Sequence, residues 1–206
     1  MLRLWGRATS TNVKKVVWCA LECGISVERV DAGGVFGGLD SPAFLALNPF
    51  GQIPVLQDGD FVLRESNTIV RYLASRHPES GFWPTTAQSR ALAEQWMDWA
   101  SIELMPPYRV LFVGLVRTPE RERDVAAVAD ARARLDQLLA PLDRQLGRTP
   151  FLSGDRFGVG DIPAGVMLHV LYTLGEVSGD YRHLRTWFVR LCDRPHYRAA
   201  VDGPLV

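Results

Sequence analysis

Strand-like and helix-like apolar patterns alternate along the chain up to about residue 76. The strand-like runs are LRLW (2–5), VERVD (27–31), IPVLQ (53–57) and FVLRE (61–65). The last two runs are joined by Asp58-Gly59, a dipeptide that strongly favours a two-residue turn. The pattern therefore predicts four strands, of which the last two form a hairpin.

Three helices are predicted between and after these strands. Ser41-Pro42 offers an N-cap and a first-turn proline for a short second helix, and residues 66–76 form the third. Gly24 is placed to end the first helix. Apolar residues of that first helix recur at helical spacing: Val13, Val16, Val17, Ala20 and Leu21. The order βαβ, short helix, ββα is that of a thioredoxin-like α/β domain, although other small α/β folds share it.

From about residue 88 the apolar residues recur only at helical spacing. Leu92, Trp96 and Trp99 share one such pattern, and the leucines of ARLDQLLAPLDRQL share another. The segment HPESGFWPTTAQ (77–88) is rich in proline, glycine and hydroxyl residues, as linkers are. We therefore predict an α/β domain over 1–76, a linker over 77–88 and an all-helical domain over 89–206.

Composition narrows the range of functions. The chain has 206 residues, 47% of them hydrophobic, and 23 basic residues balance 23 acidic ones. A nucleic-acid binder shows a basic excess, and a membrane-surface protein shows a basic amphipathic helix, so neither partner is expected. No apolar run reaches membrane-spanning length and no signal-peptide core begins the chain. With an odd number of cysteines, this predicts a cytoplasmic protein with reduced thiols.

Two motifs of the first domain offer binding groups. In NPFGQIPVL (48–56), a cis Ile53-Pro54 bond would turn the backbone groups of Ile53 outward, where they can pair with an extended peptide. A plain edge-strand proline is the alternative. In RESNTI, Ser66 begins a helix whose free N–H groups suit a carboxylate, and Glu65 can hold an ammonium group. Ser66 is alternatively only an N-cap.

These two motifs, followed by GDRFGVGDI (154–162), resemble the glutathione transferase superfamily in order and spacing along essentially the whole chain. The resemblance implies a glutathione-binding thioredoxin-like domain, a helical domain that lines a hydrophobic co-substrate pocket, and a homodimer. It also implies glutathione as co-substrate and no metal. The pattern S-x-N-V-x-K-V at 10–16 resembles the serine-type and disulfide-reducing bacterial branches.

Carried over to this sequence, the resemblance makes Pro54 the cis proline and Ile53 the backbone partner of the cysteinyl unit of glutathione. Glu65 and Ser66 hold the γ-glutamyl amine and carboxylate, and Gln52 lies near the glycyl end or the peptide backbone.

The candidates for stabilising the glutathione thiolate lie in the run TSTN at 9–12. A thiol with a pKa near 8.5 is only a few per cent ionised at neutral pH, and lowering this pKa by about two units takes roughly 2.7 kcal/mol. A hydroxyl donor at a helix N-terminus can supply this stabilisation. The resemblance assigns Ser10 to that role and Asn12 to its assistance, with Thr9 and Thr11 as cap or surface residues. Ser10 is alternatively an N-cap without chemistry.

Candidates for the co-substrate pocket lie on one predicted helix, near a break expected at Pro106-Pro107. The candidates are Trp99, Tyr108, Arg109 and Phe112. Arg109 differs from the other three because it can hold an anion.

With no cysteine at 9–12, redox chemistry would run through bound glutathione. The leading function is transfer of glutathione to small electrophiles; the alternatives are a glutathione-dependent disulfide reductase or peroxidase, and a non-catalytic binding module.

Three further residue types are expected to be structural. Cys19, Cys23 and Cys192 are interpreted as buried apolar residues. Asp161 resembles the acidic member of the family's capping box, but Gly158 stands at the hydroxyl position, so one of the two reciprocal bonds is lost. Pro141 is expected to kink its helix.

Overall fold

Four short strands form one mixed sheet in the computed structural model, which describes residues 1–206. The strand order is β2-β1-β3-β4; β1 pairs parallel with β2 and antiparallel with β3, and β3 pairs antiparallel with β4. The strands are β1 (Leu2–Trp5), β2 (Val27–Val30), β3 (Val55–Asp58) and β4 (Phe61–Arg64). The four predicted strands and the hairpin are confirmed, but Asp58 pairs with Phe61, so the turn residues are Gly59 and Asp60.

Three helices complete the first domain: α1 (Thr11–Glu22), α2 (Pro42–Leu47) and α3 (Ser66–Arg76). Alternate residues of a strand point to opposite faces of a sheet. Accordingly Leu4 joins the core around α1 and α3, whereas Trp5 packs on Phe44 of α2 at a ring distance of 6.3 Å. Helices therefore cover both faces of the sheet, and the predicted thioredoxin-like order is confirmed.

The second domain is helical throughout. Its first helix begins at Ala87, two residues before the expected boundary, because Thr86 and Ser89 form a capping box. The helices are α4 (Ala87–Trp99), α5 (Met105–Phe112), α6 (Val125–Leu146), α7 (Asp161–Thr173), α8 (Arg182–Cys192) and α9 (Pro195–Ala200). Single 3₁₀ turns lie at Gly34–Phe36, Pro78–Ser80 and Glu120–Glu122. No helix is both long and apolar enough to cross a membrane.

The prolines of this domain do not interrupt its helices. A π-helical turn (Ala100–Leu104) joins α4 to α5, and a second (Val113–Arg117) follows α5. The break expected at Pro106-Pro107 is therefore wrong: these prolines occupy the first turn of α5, and a wider turn precedes them. Helix α6 likewise continues on both sides of Pro141.

One hydrophobic core runs through both domains. Trp18 of α1 stacks on Phe157 at 5.1 Å and meets the edge of Tyr197 of α9 at the same distance. Helix α7 is buried along nearly its whole length and lies against α1, α4 and α5. The three cysteines are free thiols; Cys19 and Cys23 are buried as expected, and Cys192 is half-buried.

Asp161 is structural, as expected, because it organises the start of α7. Its fully buried carboxylate accepts hydrogen bonds from Trp187 Nε1 (2.8 Å) and from the backbone N–H groups of Leu152 (2.8 Å), Ser153 (3.3 Å) and Gly158 (3.1 Å). Burial raises the pKa of this carboxyl, and the hydrogen bonds oppose that rise. The carboxylate thus ties α7 to α8 and to the preceding loop.

Candidate active site

Ser10 is the N-cap of α1, at the end of the loop that follows β1. Its backbone is extended (φ −73°, ψ 123°), and its Oγ accepts the N–H of Val13 at 3.5 Å, a long bond. The half-buried hydroxyl donates its own proton to no acceptor in the chain. A hydroxyl can donate and accept at the same time, so the cap leaves a donor free at the helix N-terminus.

Asn12 connects the N-termini of α1 and α3. Its Oδ1 accepts a hydrogen bond from the Ser66 hydroxyl at 3.3 Å. Two helix N-termini, each with free N–H groups and positive potential, therefore lie side by side. Asn12 contacts Ser66 and not Ser10, so its direct effect is to position the α3 N-terminus.

The loop before β3 presents one free peptide unit. The Ile53–Pro54 bond is cis, and neither the N–H nor the C=O of Ile53 is hydrogen-bonded within the chain. Asn48 shapes this loop: its Nδ2 donates to the Gln52 carbonyl (2.8 Å), and its Oδ1 accepts the N–H of Phe50 (3.2 Å). Gln52 is exposed and Pro54 is buried. The free groups of Ile53 can pair with an extended peptide, as a neighbouring strand would.

The N-terminus of α3 is open to an anion. Its first intrahelical hydrogen bond joins the Ile69 N–H to the Glu65 carbonyl, which leaves the N–H groups of residues 66–68 outside the helical pattern. Glu65 is exposed and is the one non-glycine residue with a positive φ (67°). Such a backbone costs of order 1–3 kcal/mol and is found most often at functional sites.

Two buried polar residues lie on the helices that form the site: Asn67, which the sequence did not single out, and Lys15, the lysine of the S-x-N-V-x-K-V pattern. Asn67 Nδ2 donates across the domain boundary to the Met97 carbonyl (2.8 Å) and to Ser101 Oγ (3.0 Å). Lys15 on α1 is almost completely buried, and burial lowers its pKa to about 8 against the opposing charge of Glu65. The sequence does not predict that these two residues are buried, since polar residues inside a helix are usually solvated.

Thr11 has more than the cap or surface role expected of it. Its Oγ1 lies 2.6 Å from the hydroxyl of Tyr108, and this hydrogen bond joins α1 to α5 across the domain boundary. Tyr108 stacks on Phe112 with ring centroids 5.9 Å apart. Burial raises the pKa of Tyr108 to about 12, so this phenol stays protonated near neutral pH.

A cleft of about 200 Å³ lies between the two domains, in front of Ser10. Tyr108, Arg109 and Phe112 line it, together with Ser10 and Asn12. The fourth candidate, Trp99, does not line the cleft; it packs edge-on against Trp96 of the same helix at 5.6 Å. The sequence also missed Arg7 and Arg117, which line the cleft. No group of three or more His, Cys, Asp or Glu side chains is placed to hold a metal.

The arrangement is that of a two-domain protein whose free backbone groups can bind an extended peptide beside a largely polar cleft. The glutathione S-transferase N-terminal domain model matches residues 4–81, and the corresponding C-terminal domain model matches residues 125–190. The chain therefore belongs to the glutathione S-transferase family and is an enzyme of that class.

Individual relatives match along the full length. The chain is 42% identical to "Glutathione S-transferase GstB" of Escherichia coli K12, with 100% of both chains aligned. It is 33% identical to "Glutathione S-transferase 3" of Zea mays, over 97% of this chain and 93% of that one. It superposes on the theta class glutathione S-transferase of Xanthomonas axonopodis pv. citri, solved with glutathione bound, with a TM-score of 0.95, 44% identity and coverage of 100% and 99%.

Proposed function

We propose that this enzyme transfers glutathione to small, mostly hydrophobic electrophiles, with Ser10 stabilising the thiolate. The observation that carries the proposal is the Ser10 hydroxyl, which caps α1 through a long bond yet keeps its proton for another acceptor. Its position at a helix N-terminus and beside the cleft supports the same role.

In the proposed complex, glutathione lies across the three loops that meet at the sheet edge. The backbone of Ile53, next to cis Pro54, pairs with the cysteinyl unit, and Gln52 lies near the glycyl end. Glu65 holds the γ-glutamyl amine. Ser66 and the free N–H groups of α3 hold the γ-glutamyl carboxylate, and Asn12 positions Ser66.

The reaction then needs no metal and no protein nucleophile. The thiol proton leaves to solvent, and Ser10 donates a hydrogen bond to the resulting thiolate. The sulfur forms a bond to the electrophilic carbon, and the bond from that carbon to its leaving group breaks with the electron pair. Tyr108, Arg109 and Phe112 contact the electrophile in the cleft.

The test is the variant Ser10→Ala. Loss of the thiolate donor should lower kcat/KM for glutathione conjugation about 100-fold, which corresponds to roughly 2.7 kcal/mol. Stability should change by about 1 kcal/mol at most, as for loss of a helix cap. The matched control is Ser41→Ala, because Ser41 caps α2 in the same way, accepting the Phe44 N–H at 3.3 Å. Unchanged turnover in Ser10→Ala, with loss of turnover in Thr11→Val or Asn12→Ala, contradicts the assignment.

Two further assays test the alternative functions. Fast reduction of a small mixed disulfide with negligible conjugation would make the protein a glutathione-dependent reductase. Absence of any thermal shift with millimolar glutathione would make it a non-catalytic module, because a ligand stabilises a protein by RT ln(1 + [L]/Kd).

The proposed setting is the cytoplasm, since three free thiols fit a reducing compartment. The proposed assembly is a homodimer. Exposed apolar residues support it: Phe50 lies against Arg64 of β4, Phe61 of β4 packs on Tyr72 of α3, and Leu92 is exposed on α4.

A further inference from the structure

Three arginines lie in the cleft in front of Ser10, contributed by both of its walls. Arg7 comes from the loop after β1, Arg109 from α5 and Arg117 from the π-helical turn that follows α5. No aspartate or glutamate lines this cleft, and none of the three arginines forms an ion pair within the chain. The positive charge of the cleft is therefore not neutralised by the protein.

Packing holds two of these side chains in place. A Cβ at Gly34 would lie 2.9 Å from Cδ and 3.1 Å from Nε of Arg7, so the arginine lies directly over the glycine backbone. The guanidinium carbon of Arg117 lies 4.8 Å from the ring centre of Phe112, a cation–π contact. Both guanidinium groups are thus partly ordered before any ligand arrives, which lowers the entropy cost of binding.

The two cations also repel each other. Burial lowers the pKa of Arg7, and the charge of Arg117 lowers it further. Nearby, by contrast, Arg29 is paired with Asp31. The chain as a whole is neutral, so the unpaired charge in the cleft is a local feature. An anion between the two guanidinium groups would relieve this repulsion.

The cleft continues past the arginines into an apolar hollow. Arg7, Thr9 and Arg117 line this hollow as well, together with the ion pair of Arg29 and Asp31. Val35 and Phe36 form part of its apolar surface, exposed to 95% and 55%. The arginines therefore lie where a polar compartment in front of Ser10 meets an apolar one. This arrangement suits a molecule that carries an anionic group on an apolar body.

We propose that the acceptor site selects electrophiles that carry a carboxylate on an apolar body, with Arg7 and Arg117 binding the carboxylate and Arg109 at the rim. The planar fork of arginine matches a carboxylate through two parallel hydrogen bonds. The inference rests on the proposed function. Glutathione's own carboxylates are assigned elsewhere, to the α3 N-terminus and the Gln52 side, whereas Arg109 and Arg117 belong to the helical wall.

The test compares two electrophiles that differ in this group alone. The full chain is assayed with glutathione against 4-chloro-3,5-dinitrobenzoate and against the corresponding neutral amide, and each kcat/KM is divided by the uncatalysed rate constant with glutathione. The corrected kcat/KM of the carboxylate should exceed that of the amide by about tenfold at low ionic strength. This ratio should fall as salt screens the charges.

Substitutions then identify the residues that produce the preference for the carboxylate. Arg117→Gln and Arg7→Gln should each lower the carboxylate preference to about threefold or less, and Arg117→Lys should keep part of it because the charge remains. Arg90→Gln is the matched control: Arg90 also stacks on an aromatic ring, Trp83 at 5.1 Å, without an ion pair, but lies outside the cleft. This control should keep the full preference.

Several results would overturn the inference. Equal corrected rates for the two compounds would do so and leave the proposed function intact. A preference that survives both glutamine substitutions would show that other groups bind the carboxylate. A rise in KM for glutathione without change in the ratio would show that the arginines bind glutathione. No conjugation of either compound, with rapid reduction of a mixed disulfide, would overturn the proposed function and the inference with it.

Discussion

Ser10 shows how one hydroxyl can serve both a helix and a ligand. From the sequence, cap and thiolate donor are alternatives. In the structure the cap bond to the Val13 N–H is 3.5 Å long and uses a lone pair, so the proton remains available. The two roles are therefore compatible at this residue. The stability cost of Ser10→Ala and its catalytic cost are separate quantities.

Lys15, the lysine of the S-x-N-V-x-K-V pattern, is a buried cation, and the pattern alone does not predict its burial. Burial lowers its pKa from 10.5 to about 8. Because the unfolded chain keeps this proton up to a higher pH than the folded chain, the unfolded state holds more protons between these values. The contribution of Lys15 to stability is therefore unfavourable below pH 8 and becomes less so as pH rises toward 10.5.

The variant Lys15→Met should reveal the unfavourable contribution of the buried Lys15 charge to stability. At pH 7 the variant should be more stable than the wild type by roughly 3 kcal/mol, because the buried charge is gone. Between pH 8 and 10.5 the two free energies of unfolding should converge. Urea unfolding of both proteins across this range measures the difference. A stability difference that does not change with pH would contradict the assignment.

At the scale of elements, the start of α7 compensates for a missing hydroxyl. The sequence pattern has Gly158 where a capping box has serine or threonine. In the structure Ser153 takes up that space: its Oγ accepts the Gly160 N–H at 3.0 Å, and a Cβ at Gly158 would lie 3.0 Å from both Cβ and Oγ of Ser153. The hydroxyl is supplied by a residue five positions earlier, which a local motif does not reveal.

This compensation predicts a coupled pair of substitutions. Ser153→Ala should cost about 1 kcal/mol through the lost hydrogen bond. Gly158→Ser should also be destabilising in the wild type because it crowds Ser153, yet less so in the Ser153→Ala background, where there is room for the new hydroxyl. A double-mutant cycle by chemical denaturation measures the coupling. Additive effects would show that the two residues do not share this space.

The order of elements in the first domain could be predicted because each has a local signal. Apolar spacing indicated α1, and Ser41-Pro42 indicated the start of α2, which Ser41 caps. The hairpin turn was misplaced by one residue, since Gly59 can occupy either turn position. The π-helical turns were missed because they depend on packing of the whole α4–α5 segment.

At the scale of the whole molecule, the parts of the site that escaped prediction are contacts between distant residues. Thr11 meets Tyr108 across 97 positions, and Asn67 meets Met97 and Ser101 on the other domain. Arg7 and Arg117 likewise share a cleft although they are far apart in the chain. Such pairings follow from how the two domains pack on one core, which no local pattern encodes. The motif residues, by contrast, each carried a local signal.

The proposed dimer can be tested on the surface formed by β4, α3 and α4. Light scattering should give a mass of about twice 23.0 kDa for the wild type. Leu92→Glu should shift the mass toward that of a monomer, because a charge on this apolar surface opposes association. Val125→Glu, at an exposed apolar residue of α6, should leave the dimer intact. A wild-type mass of one chain at micromolar concentration would contradict the proposal.

If Ser10 stabilises the glutathione thiolate, it must lower the pKa of the bound thiol, and this pKa can be measured. Ultraviolet absorbance of the thiolate is followed against pH for the glutathione complexes of the wild type and Ser10→Ala. In the wild type the bound thiol should ionise about two units below the free value near 8.5, and in the variant near the free value. The same low pKa in both complexes would contradict this role of Ser10.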